Sequence, residues 1–243
     1  MLGILEKVKS TPDIYSALAD SIEQENNGEG QATTISFVNP FSYMLLRHNK
    51  VALDGIDHLH SDAISSSKIF SFILGKSIPR LSFDLGSFAR HFFIEAEKFQ
   101  LPIFLLGAKE EELNEAVMTF KEHYPKLNIV GYRDGYFSDD DEVMQQIIES
   151  GAQYVICGMG TPRQDEFSGK LKSYDQGQLK QIYTCGGFLH QSADRIDYYP
   201  KLINKLNLRW LFRALTTSYV AKRLLLVYPK FLFVVFADRF TKS

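Results

Sequence analysis

From Leu101 onward, short apolar runs alternate with polar stretches of helical pattern. LPIFLLG at 101–107, LNIVG at 127–131, AQYVICG at 152–158 and QIYTCGG at 181–187 read as strands. Between them AKEEELNEAVMTFKEHYP at 108–125, DDDEVMQQIIES at 139–150 and the stretch opening PRQDEFSGKLKSY read as helices. Acids crowd the first turns of the first two, complementing the helix dipole. Pro125 and Gly151 stop those two, and Pro162 suits a first turn. Strands alternating with helices of this length predict an α/β chain with a mostly parallel sheet and helices on both faces.

The first half is less regular. PDIYSALADSIEQE at 12–25 predicts an amphipathic helix with Thr11 as cap and Pro12 at its first position. The β-branched run TTISFV at 33–38 predicts a buried strand, closed by Asn39 and Pro40. FSYMLLRH starts a helix, the chain turns at Asp54–Gly55, and residues 64–75 carry no firm assignment.

The chain has 243 residues, 45% of them hydrophobic, enough for one large domain or two small ones with a real core. Two cysteines, Cys157 and Cys185, cannot build a disulfide framework, and no CxxC pair exists. Neither a signal peptide nor a run of 18 uncharged apolar residues is found, so no spanning helix is predicted. The net charge of −2 hides a division: residues 201–243 hold nine Lys/Arg against Asp238 alone, or +8, which leaves −10 for residues 1–200. An acidic body with a basic tail does not suit a nucleic-acid binder. The expected division is a body at 1–200 and a C-terminal appendage at 201–243. Within the appendage, residues 224–237 are apolar at 12 of 14 positions. A helix of that length, at ~1.5 Å per residue, is too short for a bilayer core of ~30 Å. It suits an interfacial position with Lys222, Arg223, Lys230 and Arg239 among the headgroups, or else a core or oligomer contact.

In an open α/β sheet, ligands collect at the carboxyl ends of strands. Here those ends carry Asn39, Gly107, Gly158–Gln164 and Cys185–His190. GMGTPRQDE at 158–166 offers two glycines for close backbone approach and the free amides of a helix start to a phosphate. An ordinary strand-to-helix turn explains the same residues equally well. Neither GxGxxG nor a P-loop is present. Asp54 and Asp84 are candidate general bases, although a turn role for the first and a helix cap for the second account for them too. The six histidines do not form HExxH, and Asp139–Asp141 reads more simply as a helix start than as a cation-binding DxD. Neither metal nor cofactor is expected.

The order of these segments resembles the WecG/TagA/CpsF family of bacterial glycosyltransferases over roughly residues 33–228. The matching pieces are Ser36-Phe37-Val38-Asn39, Asp54-Gly55-Ile56, Asp84–Leu85, Phe104-Leu105-Leu106-Gly107, Tyr124-Pro125, Asp134-Gly135-Tyr136-Phe137, Gly186-Gly187-Phe188 and Trp210-Leu211-Phe212-Arg213. The family's strongest signature corresponds to Gly158-Met159-Gly160-Thr161-Pro162-Arg163-Gln164-Asp165. Departures include Ser82 and Pro79 where the family carries glycine and arginine, with Arg80 displaced by one, and Asp165 in place of glutamate.

The resemblance implies a Rossmann-like fold and an inverting transfer of an N-acetylhexosamine or another hexose. The donor would be a UDP-sugar and the acceptor a sugar on polyprenyl diphosphate, in surface polysaccharide synthesis. It places the enzyme in the cytoplasm, peripheral at the inner face of the cell membrane, with an anionic membrane surface as partner and a homo-oligomer left open. It implies Asp84 as base, Asn39 as a pocket residue, and Gly107, Gly158, Gly160, Arg163, Gln164 and Gly187 around the nucleotide. Arg213 and Arg223 become candidates to neutralise the leaving diphosphate. Another Rossmann-like nucleotide-dependent enzyme, a non-catalytic sugar-nucleotide module and a membrane-surface scaffold are the competing readings.

Overall fold

The computed structural model describes residues 3–24, 30–194 and 218–240, with side chains of the last segment from Leu226 onward. Six strands form one sheet in the order β2-β1-β6-β5-β3-β4, and every pairing is parallel. They are β1 (Thr33–Val38), β2 (His58–Ser61), β3 (Ile103–Gly107), β4 (Ile129–Arg133), β5 (Tyr154–Gly158) and β6 (Gln181–Thr184). The helices are α1 (Thr11–Glu23), α2 (Pro40–Leu46), α3 (Lys50–Gly55), α4 (Ile64–Leu74), α5 (Phe88–Lys98), α6 (Glu110–His123), α7 (Asp140–Glu149), α8 (Arg163–Tyr174), α9 (Phe188–Asp194) and α10 (Ser218–Phe240).

Strand side chains alternate between two cores, as the period of two requires. Ile35, Phe37, Ile103, Leu105, Ile156 and Tyr183 pack against α5, α6 and α9. Phe104, Leu106, Val155, Cys157 and Ile182 pack against α7 and α8 on the other face. Burial on both faces is why these strands read as unbroken apolar runs. A third cluster closes the β2 end, where Val38, Tyr43, Leu59 and Phe70 meet Phe231 and Val235 of α10.

Four local expectations change. Ser10, not Thr11, caps α1, because the Asp13 carboxylate accepts both its N–H and its hydroxyl at 2.9 Å. The Asp54–Gly55 turn ends α3, which lies along α8 and leaves Asp54 exposed. Residues 64–75 form α4. Ser87, not Asp84, stands at the start of α5, while the Asp84 carboxylate accepts the N–H of Gly86 at 2.8 Å within the preceding turn. The division at residue 200 lies outside the described residues.

The tail helix is longer than the apolar run. It has 23 residues with Pro229 inside, and no described helix is long and apolar enough to cross a membrane. Phe231 and Val235 are buried, and the Phe231 ring lies 5.1 Å from that of Tyr43. Asp238 accepts from the Tyr43 hydroxyl at 2.8 Å and from Arg47 Nε at 2.9 Å. One face of α10 is therefore a core element.

Candidate active site

Because all six strands are parallel, their carboxyl ends share one edge. Asn39, Asp62, Gly107, Asp134, Gly158 and Cys185 follow or close those ends. Gly107 has φ +140°, and a Cβ there would fall 2.3 Å from the Gly158 carbonyl oxygen, so β3 and β5 end in backbone contact with no room for a side chain. Gly160 has φ +79° with open space around it, which gives its turn a left-handed step beside unoccupied volume.

Gln164 holds this floor together. Its Oε1 accepts the N–H of Gly160 at 3.0 Å and of Gly186 at 3.1 Å, joining the turns after β5 and β6. The side chain is only 3% exposed. Gly187 is exposed beside the second turn, immediately before α9. The sequence placed Gln164 at the mouth of the sheet facing a ligand. The structure places it there as a buried brace under the turns.

Asp165 sits beneath the same turns and is fully buried. Its Oδ1 accepts from Ser36 Oγ at 2.6 Å, and Ser36 accepts in turn from Thr184 at 2.9 Å. Oδ2 closes no hydrogen bond of its own, although the Thr161 hydroxyl lies near enough to favour the charged form. Burial outweighs these contacts and pushes the carboxyl up to about 6.

A second group stands at the β2 end. Arg80 Nη2 lies 3.0 Å from Asp84 Oδ2 and 3.4 Å from Asp62 Oδ1, while its Nε donates to the Asp62 carbonyl at 2.8 Å. Leu81 N–H bonds the Ser61 carbonyl at 2.7 Å, which ties this loop to the end of β2. Asp84 also accepts from Ser82 Oγ and Gly86 N. Its side chain is 20% exposed against 33% for Asp62. Phe83 inserts below, 5.6 Å from Phe188 and 6.1 Å from Phe37, and so links the carboxylate loop to the Gly186–Gly187 turn. Asp62 and Arg80 were not singled out as site residues. The displacement of Arg80 by one residue was the available signal, since a loop absorbs such a shift without losing the contact.

Asn39 caps α2 with Oδ1, accepting from Phe41 N at 2.9 Å and Ser42 N at 3.1 Å. Its amide nitrogen takes no partner among the described residues. Arg163 does not face the turns alone: it pairs with Asp140 through both terminal nitrogens and lies over the Phe137 ring at 5.0 Å. That pairing holds the Asp140 carboxyl down at about 2. Tyr136, next to Gly135, is 75% exposed at this edge. Arg213 lies outside the described residues, and for Arg223 only the backbone within α10 is described. Among the described residues no group of three or more histidine, cysteine or carboxylate side chains could hold a metal ion.

The sequence profile of the Glycosyl transferase WecG/TagA/CpsF family matches residues 6–243. The chain belongs to this family. It is similar to a UDP-Gal:alpha-D-GlcNAc-diphosphoundecaprenol beta-1,4-galactosyltransferase of Shigella boydii, 35% identical over 93% of this chain and 91% of that one. It is also similar to an N-acetylglucosaminyldiphosphoundecaprenol N-acetyl-beta-D-mannosaminyltransferase of Bacillus subtilis (strain 168), 25% identical over 98% of this chain and 93% of that one. Membership makes the protein a glycosyltransferase and replaces the readings as another Rossmann-like nucleotide-dependent enzyme or a non-catalytic sugar-nucleotide module.

Proposed function

We propose that this glycosyltransferase moves a hexose, with inversion, from a UDP-sugar to a sugar carried on polyprenyl diphosphate at the cytoplasmic face of the membrane. The observation that carries the reading is the pairing, across Phe83 and Phe188, of a carboxylate loop with a glycine-lined turn. The turn suits a diphosphate through the close backbone approach that Gly158 and Gly160 allow, although Gln164 already holds the Gly160 and Gly186 amides. The carboxylate loop suits proton removal from a hydroxyl. Galactose is the expected sugar, because the 35% relative is named for UDP-Gal and the 25% relative for mannosamine transfer.

The reaction is a single displacement. The acceptor hydroxyl oxygen forms a bond to C1 of the donor sugar as its proton passes to a carboxylate. The bond from C1 to the diphosphate oxygen breaks, and its electron pair leaves with UDP. By motif match the base is Asp84. A second reading rests on geometry: Asp84 already accepts from Arg80, Ser82 and Gly86, which occupies its oxygens. Asp62 touches the Arg80 guanidinium only at 3.4 Å and is the more open. Arg80 then positions the pair.

Asn39 can donate its free amide to a sugar hydroxyl, and the exposed Tyr136 ring can cover the face of the base. Gln164 acts through the turns it braces. The charge leaving with UDP needs cations. Arg163 is tied to Asp140, which Lys170 also contacts, and Arg213 and Arg223 are the further proposed partners of the diphosphate. The basic tail accords with an acceptor held at an anionic membrane surface.

The test is a screen of UDP-sugars against a short-chain lipid-diphosphate N-acetylglucosamine acceptor, reading UDP release and the anomeric configuration of the product. Transfer from UDP-galactose with inversion is expected. A product of retained configuration, or none from any UDP-sugar, would overturn the reading.

A further inference from the structure

His190 stands in the first turn of α9, three residues after Gly187. Its Nδ1 lies 3.1 Å from Oε1 of Glu112, which is in the first turn of α6. A carboxylate can only accept, so Nδ1 carries the proton of this bond. The other Glu112 oxygen accepts the N–H of Lys109 at 3.1 Å, which fixes the carboxylate against its own helix. Burial alone would raise the Glu112 carboxyl, but the Lys109 N–H and the neighbouring His190 hold it below the ordinary carboxylate range. The imidazole is thus held by one nitrogen and is 61% exposed, and its Nε2 has no partner among the described residues.

Both helices of this pair converge on Gly158. The lead-in to α6 reaches it because the Ala108 N–H donates to the Gly158 carbonyl at 3.3 Å. The first turn of α9 reaches it through Leu189, whose Cδ1 lies 3.3 Å from where a Cβ on Gly158 would stand. The Gly186 carbonyl oxygen lies 2.9 Å from the same point. The His190–Glu112 bond therefore joins the two helices beside the Gly158–Gly160 turn. Helical side chains lean toward the amino end of their helix, so the His190 ring leans back toward Gly186 and Gly187. On the opposite face of the sheet the same turn is flanked by Arg163, held by Asp140. Each flank thus carries a nitrogen-bearing side chain oriented by a carboxylate.

We propose that His190, oriented by Glu112, is a donor-binding residue whose Nε2–H donates to a diphosphate oxygen of the UDP-sugar. The proposal rests on the reading of the Gly158–Gly160 turn as the donor site and adds a ligand-binding side chain on its α6–α9 flank. With Nδ1–H given to Glu112, Nε2 donates only in the protonated imidazolium, and histidine changes charge between pH 5 and 8. Both phosphates of a UDP-sugar are esterified and keep their charge over that range, so the pH dependence of the bond belongs to the protein. Among the described residues the charged groups beside the ring come from α6: Glu112, and Lys109 behind it. The Cys185 thiol at the end of β6 is pushed up by burial and stays neutral.

The test is calorimetric binding of UDP-galactose to the full chain at pH 6 and pH 8.5, for the wild type, His190→Gln and His190→Arg. UDP serves as a second probe, and thermal melting is recorded beside it. The wild type should bind UDP-galactose about five- to tenfold more tightly at pH 6 than at pH 8.5, the effect of one charged hydrogen bond. His190→Gln keeps a donor for Glu112 but no charge, and at pH 6 it should bind as weakly as the wild type does at pH 8.5. His190→Arg keeps a cation and should bind equally at both values. If His190→Gln binds as the wild type at pH 6, the pair is only a clasp between α6 and α9 and the proposal is overturned. A loss by the same factor at both pH values, with a lower melting temperature, overturns it equally. A wild type that binds neither UDP-galactose nor UDP would overturn the donor reading of the turn and this proposal with it. Binding that neither His190 variant alters overturns this proposal alone.

Discussion

The side-chain oxygen of Gln164 accepts the backbone N–H of Gly186 at 3.1 Å while also holding that of Gly160. One amide thus fixes two turns that arise from different strands, so the floor of the proposed donor site is set from below.

Gln164→Ala should raise the donor KM about tenfold and lower the melting temperature, because two backbone donors lose their acceptor at a cost of about 1–3 kcal/mol. Gln164→Glu keeps an acceptor oxygen and should recover part of both. Donor titration beside thermal melting reads the pair of effects. A variant that binds UDP and melts as the wild type would show that the turns hold without the brace.

The two carboxylates beside Arg80 separate by substitution. Asp84→Asn keeps an oxygen for Arg80, and Asp62→Asn removes the more open carboxylate. Loss of the base should reduce kcat by about 10²–10⁴ while UDP still binds. The larger loss identifies the base, and the other variant should change KM more than kcat. If both turn over at the wild-type rate, neither acid carries the proton.

The sheet from β3 to β6 is legible in the sequence because burial on both faces makes those strands unbroken apolar runs. β2 is not legible. Its four residues, His58-Leu59-His60-Ser61, look polar, yet His60 and Ser61 are buried. Their cover comes from a distance: Val8 bridges Leu59 on the outer side, and the Phe37 ring stands 5.9 Å from His60. The same holds for the site. Glycine turns announce themselves by composition, whereas the Arg80 link between Asp62 and Asp84 depends on a loop whose path no local pattern specifies. For Gln164 the sequence indicates the place, but its buried role follows only from where Gly186 comes to rest.

Activity should persist in EDTA. The charge that develops on UDP is assigned to arginines, and the described residues include no cluster able to hold a metal ion. Turnover that vanishes with EDTA and returns with Mg²⁺ or Mn²⁺ would contradict that assignment.

Two buried groups give stability opposite dependences on pH. Burial and the nearby His58 charge bring His60 down to about 4 from an ordinary value near 6.5, so between those values the unfolded chain binds more protons and stability falls as pH falls. Asp165, raised to about 6, binds more protons when folded between roughly pH 4 and 6, so its contribution falls as pH rises through that range. His60→Phe should flatten the loss of stability on the acid side, and Asp165→Asn should gain most over the wild type above pH 6. Denaturant melts at pH 4.5, 6 and 7.5 check both, and parallel shifts at all three would refute the linkage.

The last prediction separates the two faces of α10 by stability alone. Phe231 is 1% exposed between Tyr43 and Phe70, so Phe231→Ala opens a cavity in the third core and should cost about 3–5 kcal/mol. Phe233, two residues away and 76% exposed, removes almost no buried area, and Phe233→Ser should change stability by less than about 0.5 kcal/mol. Asp238→Ala should fall between them at about 1–3 kcal/mol, because Arg47 and the buried Tyr43 hydroxyl lose their shared acceptor. The Asp238 loss should also shrink below the ordinary carboxylate range. Its partners hold that carboxyl down, so its stabilising contribution is present above the unfolded value and disappears as pH falls through the folded one. Equal effects of Phe231→Ala and Phe233→Ser would mean that α10 is not docked through this face in solution. The order Phe231, Asp238, Phe233 is expected only when the helix is seated on α2.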